Sequence, residues 1–168
     1  AWNYGTVKEG LRDLYENAKR DQWNSTTQLA WDTEVDPEGE IIPVAINPMA
    51  GYAPYEKLNA KEARHFRHAQ VSLQLSQFLH GEQGALIVAS QLVGGVPWID
   101  AKYYASTQTM DEARHTEGFA KYLHEKLGEA YPMNPFLDAE FRGLHQCFRR
   151  HHAYLGMQIV IESLALAA

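Results

Sequence analysis

Apolar positions along the chain fall into four blocks whose spacing changes as the sequence proceeds. In residues 7–30, Leu11, Leu14, Tyr15, Ala18 and Trp23 stand near a helical period, which predicts an amphipathic helix that decays in WNSTT. From Trp31 to Asn59 the period is lost. Four prolines and two glycines interrupt this stretch, and its composition predicts an ordered loop anchored by aromatic residues. Residues 60–93 resume a helical period through Phe66, Ala69, Leu73, Leu75, Phe78, Leu79, Leu86, Ala89 and Val93, which predicts a long helix. GGVPW at 94–98 stops it, and residues 99–127 predict a second long helix closed by Gly128. EAYPMNP breaks the pattern again. Residues 136–168 then predict a third long helix, apolar on nearly every side in MQIVIESLALAA, as a helix in a bundle centre is.

Short connections between long helices imply antiparallel neighbours, so the expected fold is all-α, an antiparallel helical bundle. It would be a single domain over 1–168, with 1–59 as a helix-and-loop extension and 60–93, 99–127 and 136–168 as bundle helices. The net charge is −6, and the basic residues are scattered among acidic ones, so the positive stripe of a nucleic-acid binder is missing. A single cysteine, Cys147, excludes an internal disulfide and a multi-cysteine zinc site and fits a reducing, cytoplasmic interior. No apolar run reaches the roughly 18–20 residues of a membrane span, and AWNYG lacks the pattern of a signal peptide.

One tetrapeptide, Glu-Ala-Arg-His, occurs twice, in KEARHF at 61–66 and in DEARHT at 111–116. On a helix, positions i and i+3 share a face, so each copy projects a carboxylate and an imidazole together. In the first copy Asn59 and Glu62 stand at the spacing of a capping box, which occupies Glu62. The face of His65 continues through Ala69, Ser72 and Ser76, whereas the expected core stripe follows Phe66, Leu73 and Leu79. The first copy therefore reads as a solvated helix start. The second lies well inside its helix, on a face continuing to Gln108, Phe119 and Tyr122 or Leu123. A buried carboxylate and imidazole require a partner, either a basic side chain or a metal ion.

Two further carboxylates weigh toward the metal ion. Glu82 falls on the apolar stripe Leu75, Phe78, Leu79, Ala85, Leu86, Ala89, and Glu162 falls on Leu155, Gln158, Ile159, Ala165, Leu166. Three helices thus each aim a carboxylate at the core. Glu82, then Asp111-Glu112-Ala113-Arg114-His115, then Glu162 resembles the ligand pattern of ferritin-like di-iron carboxylate proteins. The form Asp-Glu-x-Arg-His is most similar to that of the bacterial multicomponent monooxygenase hydroxylases, and LYENAKRDQWNSTTQLAWD at 14–32 also resembles their N-terminal segment.

The resemblance implies a ferritin-like bundle binding two iron ions, or a manganese–iron pair, with O2 as co-substrate. Glu82 would be a terminal ligand of the first iron, Glu112 a bridge between both, His115 the imidazole on the first and Glu162 a ligand of the second. Asp111 and Arg114 would orient these ligands. The reduced pair would activate O2 to hydroxylate a small organic substrate in an apolar pocket, with electrons from a reductase or ferredoxin. Gly81, Gly84 and Ala85 beside Glu82 would leave room for substrate or serve close helix packing.

Two departures qualify this. The family's fourth bundle helix, with a second Glu-x-x-His, is absent, and is expected beyond Ala168 or from a second chain, as in a homodimer. Where the hydroxylases usually carry a threonine one turn past the third carboxylate, this chain has Leu166. The same ligand set serves N-oxygenases of aryl amines and desaturase-like oxidases. Outside these enzymes stand iron storage and a purely structural bundle in which Glu82, Glu112, Arg114 and His115 form a buried polar network. His80 and His145 have no partner at helical spacing, Cys147 has no second cysteine, the adjacent His151 and His152 read as straddling core and solvent, and Trp2, Trp23, Trp31 and Trp98 read as anchors of loops on the bundle.

Overall fold

A computed structural model describes residues 2–146. Glu162, Cys147, His151, His152, Leu166 and the body of the third expected bundle helix lie outside the described residues. The described chain is helical, with no strand among its residues. Its helices are α1 (Glu9–Arg20), α2 (Ser25–Gln28), α3 (Ala60–Gly95), α4 (Ile99–Tyr122) and α5 (Pro135–Gln146). Two short 3-10 turns, Val44–Ile46 and Tyr55–Lys57, punctuate the proline-rich stretch. No helix among the described residues is long and apolar enough to cross a membrane.

The long helices begin and end on local chemistry. Asn59 Oδ1 accepts from the backbone N–H groups of Lys61 and Glu62, both at 3.0 Å, and Glu62 Oε2 accepts from Asn59 N–H at 2.9 Å. This is the capping box expected of the first Glu-Ala-Arg-His copy. α4 runs on through a π-helical turn, Leu123–Leu127, and stops at Gly128, whose φ of 69° is open to glycine at little cost.

α3 and α4 fold back on each other around Val96–Trp98 and make the largest helix pair. α1 lies on α4 and is pinned there by the fully buried Asp100. That carboxylate accepts from Val7 N–H at 2.8 Å, Lys8 N–H at 3.0 Å and Arg12 Nε at 2.9 Å, with Arg12 Nη2 also at 2.8 Å. Tyr15 stacks on Tyr103 with centroids 5.1 Å apart, extending the same contact.

The apolar stripe expected along the first half of α3 is reversed. Phe66 and Leu73 are 38% and 45% exposed, whereas Ser72 and Ser76 are buried. Irregular backbone covers the polar side, and side-chain hydrogen bonds satisfy it. Ser76 Oγ donates to Ser72 O at 2.6 Å and accepts from Tyr131 N–H at 2.9 Å. Gln77 receives Asn134 N–H at 2.8 Å, and His80 Nε2 meets Tyr131 O at 3.0 Å. An extended segment needs hydrogen-bonding partners, so serine and glutamine suit this face better than leucine.

Farther along α3, Ala85 and Val88 form a small core with Phe141 of α5, flanked by Met133 and Leu137. Gly84 faces the Phe141 ring so closely that a methyl group there would overlap it. Gly84 and Ala85 therefore serve helix packing and leave no room for substrate, while Gly81 faces open space. Trp2, expected as an anchor, is 92% exposed.

Candidate metal centre

Glu82 on α3 and Glu112 on α4 stand at equal sequence distance from Pro97, so the antiparallel hairpin brings them opposite each other. His115, one turn beyond Glu112, completes a group whose ligand atoms all lie within 4.8 Å of one another. His115 Nδ1 donates to Glu82 Oε2 at 3.1 Å and to Glu112 Oε2 at 3.2 Å. Glu112 is buried, and Glu82 and His115 are partly exposed.

Two carboxylates converge here on one imidazole. Hydrogen bonds to Glu112 and Glu82 outweigh burial and push the His115 pKa up to about 10. Burial works against ionisation of Glu82, but its hydrogen bonds to His115 and Glu112 prevail and leave its carboxyl below the usual range. Two carboxylates and one imidazole thus offer one ligand atom each at a single point, a donor set that a metal ion could share. Bonds of about 2.0–2.2 Å to a shared transition-metal ion would require only a modest contraction of the group. Mixed imidazole and carboxylate donors suit several divalent first-row metals, zinc among them. The residues present thus fit a metal ion.

Arg114 and Asp111, expected to orient the ligands, make their contacts with each other and with Trp23. Asp111 pairs with Arg114, and among the described residues neither bonds to Glu82, Glu112 or His115. Arg114 is buried and turned toward the segment between α1 and α2. Its Nη1 donates to Trp23 O at 2.9 Å, and its guanidinium lies 5.0 Å from the Trp23 ring centroid. The expected buried network of Glu82, Glu112, Arg114 and His115 therefore does not form as one unit. Glu62 is held in its cap and His65 is exposed, so the first tetrapeptide copy stays away from the site. Glu162 lies outside the described residues.

Beside His115 opens a cavity of about 520 Å³ lined chiefly by Trp23, Leu29, Trp31, Leu75, Phe119 and Tyr122. A smaller, more polar one of about 290 Å³ shares Trp23, Arg114 and His115 with it and reaches Asp21, Gln22 and Asp111. Sequence reasoning placed Trp23 and Trp31 only as anchors and gave no role to Ser25, Leu29, Glu117 or Gly118. The signal was the cap motif Asn24-Ser25-Thr26, which marks a new helical turn held near α4. Comparison with known proteins finds no family model, no curated protein and no solved structure that matches the chain.

Proposed function

We propose that the chain carries half of a di-iron carboxylate centre of an O2-dependent oxidoreductase, built on a ferritin-like bundle and oxidising a small organic molecule. The observation that carries this reading is the convergence of Glu82, Glu112 and His115 at the rim of an apolar cavity that His115 also lines. Pockets of this size and lining are typical of small-molecule sites. Glu82, Glu112 and His115 would hold metal, with Glu162 joining from outside the described residues. The remaining ligands of such a centre are not among the described residues.

When bound, the irons supply the redox chemistry toward O2 that carboxylates and imidazoles lack. The protein's own residues supply the rest. Glu82 and Glu112 provide the negative charge that favours a cation at this point, and His115 gives a neutral nitrogen donor once its Nδ1 proton has left. Trp23, Leu29 and Phe119 line an apolar space from which water gains little, so an organic substrate competes well for it. Electrons would come from a reductase or ferredoxin in the cytoplasm. Hydroxylation is the reading preferred over N-oxygenation or desaturation, which the same ligands would serve.

The test is metal loading followed by turnover. Wild-type protein is expected to take up Fe(II), or Co(II) as a spectroscopic substitute. Glu112→Ala should abolish uptake, and Glu62→Ala should leave it intact. Equal loss from both variants, or a folded wild type that binds neither ion, would overturn the reading. Product analysis with candidate hydrocarbons and aryl amines then separates C- from N-oxygenation.

A further inference from the structure

The cavity beside His115 has two walls of different origin. Leu75 of α3 with Gly118, Phe119 and Tyr122 of α4 form the inner wall. Trp23, Leu29 and Trp31 form the outer one, and they belong to a strap that contains only the four-residue α2. So short a helix has little stability of its own, and the position of the strap has to come from what it touches.

What it touches is one side of α4. Glu117 accepts from Ser25 Oγ, and from Thr26 Oγ1 at 2.6 Å. Ser25 is buried, and its carbonyl receives Trp31 Nε1 at 2.6 Å, so the same residue fixes both α2 and the second tryptophan. The Lys121 ammonium lies 4.5 Å from the Trp31 ring centroid, and Arg114 holds Trp23 as described above. Arg114, Glu117 and Lys121 follow at helical spacing along one face, whereas Glu112 and His115 point to the other. The two hydroxyl bonds occupy both oxygens of one carboxylate.

We infer that Glu117 positions a selectivity wall: by fixing α2 it sets the gap between the Trp23–Trp31 pair and Gly118–Phe119, a slot for a flat, uncharged, apolar molecule. This deepens the function proposed above and rests on it. The lining is aromatic on both sides. Its cations are already engaged, Arg114 by Asp111 and Trp23, and His115 by the two carboxylates. A charged ligand would lose its water there without gaining a free counter-charge. Gly118 sets the depth, because a Cβ at that position meets no neighbouring atom within 4 Å and would project into open space.

The experiment titrates the protein with two neutral fluorescent probes, N-phenyl-1-naphthylamine and the larger Nile red, and in parallel with Co(II). Wild type should bind the naphthylamine saturably. Gly118→Leu should weaken it at least about tenfold, and Gly118→Ala by less, although alanine favours the helix. Glu117→Ala should weaken the naphthylamine several-fold and shift the affinity ratio toward Nile red. Glu117→Gln keeps one acceptor oxygen and should fall between. Co(II) binding should be unchanged in all four variants. A ratio that stays constant in both Glu117 variants, or naphthylamine binding indifferent to the Gly118 substitutions, would overturn the wall. Naphthylamine binding with these responses but no Co(II) uptake would overturn the metal reading alone.

Discussion

Gly84 offers a test of the packing that places α5 against α3, because two opposing effects of known size meet there. Glycine in the middle of a helix is about 1 kcal/mol worse than alanine, so Gly84→Ala would ordinarily stabilise α3. Here the added methyl would fall within 2.9 Å of Phe141 Cδ1 and nearer still to two other carbons of the same ring. Carbon atoms prefer separations of about 3.5–4.0 Å, and overpacking a formed core costs roughly 1–3 kcal/mol. Phe141 is 6% exposed and cannot simply swing into solvent. With contacts this short the cost should lie toward the upper end of that range and outweigh the helix gain, leaving a net loss of up to about 2 kcal/mol by urea denaturation.

The argument becomes sharp in a double-mutant cycle. With Phe141→Ala already in place the obstruction is gone, and Gly84→Ala should now stabilise by up to about 1 kcal/mol, a coupling of about 1–3 kcal/mol between the two positions. Gly81→Ala on the same helix faces open space and should gain a similar amount in the wild type. If Gly84→Ala raises the denaturation midpoint as Gly81→Ala does, the Phe141 ring does not rest on this glycine and the contact of α5 with α3 is wrong.

Two other predictions rest on single side chains. The backbone N–H of Val7, helped by Lys8 and Arg12 and opposed by burial, holds Asp100 below its usual pKa. Its contribution to stability is therefore full above the unfolded value near 3.8 and is lost as pH falls through the lower folded value. The stability gap between wild type and Asp100→Asn, read from urea midpoints, should be wide at pH 7 and close toward pH 3, and a gap constant with pH would refute this. Asn59→Ala removes the cap of α3 and should cost about 1 kcal/mol, with faster hydrogen exchange confined to the first turn and metal uptake untouched. Loss of metal uptake in that variant would mean that the first tetrapeptide copy takes part in the site.

Helix positions and the pairing of Glu82 with Glu112 and His115 were legible because they depend on periodicity and on a short turn. The expected 60–93 and 99–127 compare with α3 at Ala60–Gly95 and with α4 and its π turn reaching Leu127. Once the hairpin closes tightly, its register follows. The face of α3 around Ser72 and Ser76 was misread because its partner is extended backbone, and periodicity counts only apolar partners. Gly84 likewise depends on Phe141, 57 positions away, and no local pattern reports it. The second-copy residues Asp111 and Arg114 were assigned by resemblance to the ligands, whereas their contacts run to each other and to the strap.

That last difference bears on how α4 works. Nearly two turns of this helix, residues 111–117, present Glu112 and His115 on one side and Arg114 and Glu117 on the other. The side that meets α3 gathers negative charge around His115. The opposite side uses charge to hold polar and aromatic groups of the strap, which in turn brings Trp23 to within 6.4 Å of the His115 ring, centroid to centroid. A shift of α4 large enough to move Glu112 relative to Glu82 would therefore also move the anchors of the strap. Rigid elements of this kind keep a site and its pocket in register better than a loop does. The outer wall is thus tied to the same helix as Glu112 and His115, but through Glu117 on another face of it. Loss of the Glu117 clasp should therefore open the pocket without disturbing the carboxylates, whereas a shift of the whole helix should disturb both.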